Sequence, residues 1–132
     1  MSESNLLPEE GESPQRLYVL EDPEPLVGRL AEEGFQVVRV ATPLADKQGL
    51  IHALRLALAL PDYMGPNYDA LYDCLTDRLV LGEAPRLLVV LEASGPLQLK
   101  DREAFHAFLE LYDQAGRFWQ ERGGDLRLCL MA

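Results

Sequence analysis

Leu87-Leu88-Val89-Val90-Leu91 is an unbroken apolar run of strand length, and its reading sets the fold class. A strand with one solvated face alternates apolar and polar residues. A continuous apolar run belongs to a strand covered on both faces, as in a parallel sheet packed between helices. Upstream, Phe35 to Ala41 contains Val37, Val38 and Val40 and reads as a strand closed by Thr42-Pro43. Downstream, Leu126-Arg127-Leu128-Cys129-Leu130 is the last strand. At the front, Leu17-Tyr18-Val19-Leu20 is a short apolar run, and Leu26 to Glu33 leaves room for a short helix before Gly34. That run is expected to add a fourth, N-terminal strand to the other three.

Helical periodicity fills the gaps. Leu50, Ala53, Leu54, Ala57 and Leu58 recur at three and four residues, one apolar face of a helix near 46–59, with His52 and Arg55 turned away from it. Pro61 disfavours helix at residue 60 and ends it. A second helix is expected over 67–79, bounded by Gly82 and Pro85. A third is expected over 101–122, with the stripe Phe105, Phe108, Leu109, Tyr112, Ala115 and Trp119 and a stop at Gly123-Gly124. Strands alternating with helices predict an α/β protein: a small parallel sheet covered by helices and joined by right-handed crossovers.

The chain has 132 residues, the length of one domain. Residues 1–16 carry Glu3, Glu9, Glu10, Glu12, Pro8 and Pro14 with little apolar content, so they are expected to be a disordered acidic tail ahead of a domain over 17–132. With 22 acidic against 12 basic residues the formal net charge is -10. Such a surface repels phosphate backbones and anionic membranes, which argues against direct nucleic-acid or membrane binding. Cys74 and Cys129 form no CxxC and no Cys/His cluster, so no metal site and no cofactor are expected, and the cysteine usage fits a reduced, cytoplasmic protein. The opening Met1-Ser2-Glu3-Ser4 carries no secretory pattern, in line with that expectation.

The informative segment is Leu60-Pro-Asp-Tyr-Met-Gly-Pro-Asn-Tyr-Asp-Ala-Leu-Tyr-Asp-Cys-Leu-Thr76. On a helix capped by Asn67, Tyr68, Ala70, Leu71, Cys74 and Leu75 fall on one side, and Asp69, Tyr72, Asp73 and Thr76 on the other. Asp69 and Asp73 repel each other at this spacing by ~0.2–0.5 kcal/mol, and no base within the helix precedes Arg78 to offset them. The face reads either as a solvated acidic surface or as a docking face for a strongly cationic site.

The same segment resembles the barstar family, the intracellular inhibitors of barnase-type ribonucleases. The likeness runs without gaps from about Val37 to Asp77 and continues more weakly over Leu87–Leu91, the long helix and Gly123-Gly124-Asp125. It does not cover 17–34, an added β-α element. The resemblance implies a barstar-like domain, a monomer that forms a one-to-one complex with a cationic, extracellular-type ribonuclease by plugging its active site. The implied contacts are Tyr63 and Gly65 in the loop, Asn67 at the cap, and Asp69, Tyr72, Asp73 and Thr76 on the helix. Asp73 stands at the family's phosphate-site acid and Asp69 at a second acid facing a nuclease arginine.

The sequence departs from the family pattern in places. Tyr72 replaces a tryptophan and Met64 a second loop tyrosine. Asp77-Arg78 replaces a glycine and an aromatic residue. An acid supplied by the family's third major helix falls near Phe118.

Two other readings stay open: a barstar-fold interaction module with a non-nuclease partner, and an enzyme using the carboxylate pair as acid and base or as ligands for a divalent ion. No second polar cluster builds a sugar cleft and no EF-hand loop is present. His52 and His106 read as solvated, Cys74 and Cys129 as inert core residues, and Trp119 as core. Glu110, on the long helix, is expected to lie far from the acidic face.

Overall fold

The structure, a computed structural model, describes residues 16–131. Four strands, β1 (Leu17–Leu20), β2 (Gln36–Val40), β3 (Arg86–Leu91) and β4 (Asp125–Met131), form one sheet in the order β1-β4-β3-β2, with all pairs parallel. The helices are α1 (Glu24–Glu32), α2 (Lys47–Ala57), α3 (Tyr68–Leu75), α4 (Arg78–Leu81), α5 (Gly95–Lys100) and α6 (Arg102–Gln120). The α/β class, the parallel sheet and the extra N-terminal strand are as the sequence predicts.

β3 is central, and Leu87 to Leu91 are all buried. Its residues alternate between two cores. Leu87, Val89 and Leu91 join β4's Leu126, Leu128 and Leu130 and the apolar faces of α2, α3 and α6. Leu88 and Val90 face the other way, onto Leu26 and Leu30 of α1, Phe35 and Cys129. The direction of chain travel accounts for α1 being alone on its face. The chain leaves β1 at one edge, crosses to β2 at the other, and then works back through β3 to β4. Crossovers of one hand that run in opposite directions lie on opposite faces.

Several expectations need correction. The helix expected over 67–79 is two helices. Thr76 ends α3, and Asp77, in an extended conformation, caps α4 by accepting from Leu79 N at 2.8 Å. The first long helix stops at Ala57, before the proline. Ala59 takes the left-handed conformation (φ 53°) and Leu60 N donates to Arg55 O at 2.9 Å, a closure usually given to glycine. α5 is not anticipated; it is a six-residue helix with too few positions for a periodic signal.

The tail expected over 1–16 lies, as far as residue 15, outside the described residues. Arg16 belongs to the domain. Its carbonyl accepts from Leu128 N at 2.8 Å, and its guanidinium, 12% exposed, pairs with Asp113 at 2.7 Å. The glycine at 116 leaves space for it, since a Cβ there would stand 3.1 Å from Arg16 Nη1.

Gly123-Gly124 ends α6 for two separate reasons. Gly123 has φ +87°, and a Cβ on Gly124 would stand 2.9 Å from Pro85 O and 3.0 Å from Trp119 Cβ. Trp119, 2% exposed, donates its indole N–H to Leu75 O at 2.7 Å and ties α6 to the end of α3. Trp119→Phe keeps a ring but leaves that carbonyl without its donor. The expected loss is ~1–3 kcal/mol of stability, read by urea denaturation; an unchanged midpoint would show that water replaces the indole.

Candidate acidic docking face

The candidate site is built on α3 and the loop before it. Asn67 caps the helix, its side chain accepting from Ala70 N at 2.8 Å, so its role is to start α3. In the loop, Met64 is buried and its N–H donates to Pro61 O at 3.1 Å. This anchor explains the departure at Met64: the side chain points into the core and leaves Tyr63 on the surface, 86% exposed. Gly65 allows a close turn, since a Cβ there would meet Asn67 Nδ2 at 3.0 Å. Outside contacts brace the loop, with Arg55 pairing with Asp62 at 3.1 Å and Gln48 Nε2 donating to Pro66 O at 3.2 Å.

α3 divides its residues as the sequence predicts. Leu71, Cys74 and Leu75 are buried, Asp69 and Asp73 are exposed, and Tyr72 and Thr76 are half-buried, with Tyr72 packed against the core. Thr76 Oγ1 donates back to Tyr72 O at 2.9 Å, so its hydroxyl hydrogen is used within α3 and its oxygen is left to accept. Both ends of α3 are held to α6. Tyr68 Oη donates to Ala104 O at 2.7 Å at the start, and Trp119 reaches Leu75 O at the end. Burial, with a smaller effect of Asp101, pushes the Tyr68 phenol up to about 12, so it stays a donor at neutral pH. Burial, aided by Asp77 and Asp73, raises the Cys74 thiol and keeps it protonated.

The packing of α3 on α6 creates a groove of about 390 Å³ in which Tyr68, Asp69, Tyr72 and Asp73 face Glu110 and Gln114. Glu110 is therefore not remote from the acidic face but its third carboxylate. Sequence periodicity places it on the polar side of α6 and cannot say which helix that side meets. A second groove starts on the far side of Asp73 and includes Thr76, Asp77, Arg78, Phe118 and Arg122. Asp73 lies between the two, the most central of the singled-out residues. Tyr63 and Gly65 line neither groove and stand apart on the loop.

Among the described residues, no base lies within ion-pairing distance of Asp69 or Asp73. The face is thus acidic, held at both ends and uncompensated. It can do chemistry of one kind well, which is to receive cations presented in a fixed pattern. A separate groove of about 350 Å³ between β1 and α6, lined by Leu17, Leu109, Tyr112 and Leu128, contains none of the motif residues. Among the described residues there is no group of three or more His, Cys, Asp or Glu able to hold a metal. No helix among them is long and apolar enough to cross a membrane.

A search of curated proteins found no match. The family model described as Barstar (barnase inhibitor) matches residues 35–131. The match begins where the added β1-α1 element ends and takes in the loop, α3 and the whole of α6, so this chain belongs to the barstar family.

Proposed function

We propose that this protein inhibits a cationic, barnase-type ribonuclease by a one-to-one complex in which α3 and its preceding loop block the nuclease active site. The observation that carries this reading is the pair of uncompensated carboxylates, Asp69 and Asp73, on a helix tethered at both ends within a barstar-family domain. A ribonuclease must gather cations to hold a phosphodiester and stabilise the charge of its transition state. Carboxylates on a rigid helix occupy the same subsites and offer no bond to cleave. Tyr63 and Tyr72 supply stiff amphipathic contact area around them, and Gly65, Asn67 and Thr76 shape the loop and the helix ends. The protein acts by binding, as a monomer in the cytoplasm of the producing cell, and carries out no reaction of its own.

Asp73 is the dominant contact in this reading. Asp73→Ala leaves nuclease cations desolvated and unpaired and is expected to weaken binding by ~3 kcal/mol or more. Asp69→Ala is expected to cost less, and Tyr72→Ala an intermediate amount through lost packing. Glu32→Ala, on the opposite face of the sheet, is the control. Calorimetric titration against barnase, with thermal melts in parallel, reads all four. The two Asp variants should melt at or slightly above the parent temperature because mutual repulsion is relieved. Asp73→Ala binding as tightly as Glu32→Ala would sink the proposal.

Steering by the net charge of -10 makes a second, kinetic prediction. The association rate should fall steeply as ionic strength rises, while dissociation changes little. Stopped-flow association at low and high salt decides it, and a flat association rate would mean that the acidic face is not the docking surface.

A further inference from the structure

The groove on the far side of Asp73 is of mixed charge. Asp73, Thr76 and Asp77 line one part of an open space of about 580 Å³, and Arg78, Glu83, Phe118 and Arg122 surround the rest. The guanidinium carbon of Arg122 lies 3.8 Å from the centroid of the Phe118 ring, and Nη1 donates to Phe118 O at 2.8 Å. The ring and the carbonyl hold the planar group in place while its side chain stays 49% exposed. Its nearest carboxylate, Glu121, is 3.9 Å away, and Arg78 is similarly loose on Glu83 at 3.8 Å.

Elsewhere five arginines form close ion pairs: Arg16, Arg39, Arg55, Arg117 and Arg127 each grip a carboxylate at 2.6 to 3.1 Å. Arg29 is as loosely held as Arg122, 3.9 Å from Glu33, and Arg86 likewise lies over a ring, 4.6 Å from the Phe35 centroid, and donates to Glu33 O at 2.7 Å. In an acidic protein with bases in short supply, two loosely held arginines border the groove that continues the docking face.

We propose that Arg122, stacked on Phe118, is a specificity-determining contact that receives a carboxylate side chain of the partner nuclease. The docking face is then purely acidic at its centre and of mixed charge at one edge, where Arg122 is the exposed, stacked base. This rests on the inhibitor reading and adds the partner's charge pattern to it. A stacked guanidinium offers its remaining N–H donors in one plane, the geometry that a carboxylate accepts with two oxygens. Because ring and carbonyl already fix the group, little further side-chain freedom is lost when the partner arrives. The same charge rejects a nuclease with a cation at that edge, so Arg122 discriminates as much by repulsion as by attraction.

The test uses barnase and a panel of its variants, each with one arginine or lysine around the active-site mouth changed to glutamate. All are titrated against the wild-type chain, R122E, R122K and D73A, with melts to confirm folding. Wild-type barnase is expected to bind R122E about tenfold tighter than the wild-type chain. At least one glutamate variant is expected to bind the wild-type chain about tenfold tighter than it binds R122E. R122K, which keeps the charge and loses the planar fork, should retain part of that preference. Binding that depends on Asp73 but is equal for R122E and the wild type across the panel overturns this proposal and leaves the inhibitor reading standing. Binding indifferent to Asp73, or absent throughout, overturns both.

Discussion

Two hydrogen bonds from aromatic side chains fix the helix on which the rest depends. Tyr68 ties the first turn of α3 to Ala104 on α6, and Trp119 ties its last carbonyl from the other side. Between these points Leu71 and Leu75 are wholly buried against the sheet-side core. A single such bond is worth only ~1 kcal/mol net, but breaking one strands a buried carbonyl at a larger cost. A helix of eight residues is too short to be stable alone in water. Its order comes from α6 and the core, and its outward face is left free to carry a repulsive pair of carboxylates. In the proposed reading, stability and recognition are thereby assigned to opposite faces of one short element.

Much of this was legible from residues alone, for reasons that can be named. β3 has no polar position from Leu87 to Leu91, and only a strand covered on both faces is read that way. The polar face of α3 follows from spacing, and the identity of the loop and helix residues carried the family. Sheet order was not legible, because β1 pairs with β4 across more than a hundred residues of chain and no local pattern encodes that pairing. The break at Asp77 is not legible from apolar spacing, although Asp is a poor helix former and here caps α4 with its side chain. The place of Glu110 is not legible for the same reason as the sheet order, since it depends on which face of α6 receives α3. Composition alone puts Arg16 with the tail. Its contact with Asp113 and the space left by Gly116 exist only once the chain has folded.

The departures from the family pattern form two groups. Met64 turns inward and supports the loop, a structural change that leaves Tyr63 exposed. Arg78 and Phe118 line one groove next to Asp73. In the proposed reading, the first keeps the docking element in place and the second alters which partner it suits. A family fold with a shifted charge pattern at one edge is how a shared scaffold separates related partners.

The central claim is that the acidic face occupies the nuclease active site and does not bind beside it. Competition between this protein and a mononucleotide for barnase tests that most directly. The apparent dissociation constant of the complex should rise in proportion to mononucleotide concentration once the nuclease sites are filled. An apparent constant that stays the same at saturating mononucleotide would contradict the account.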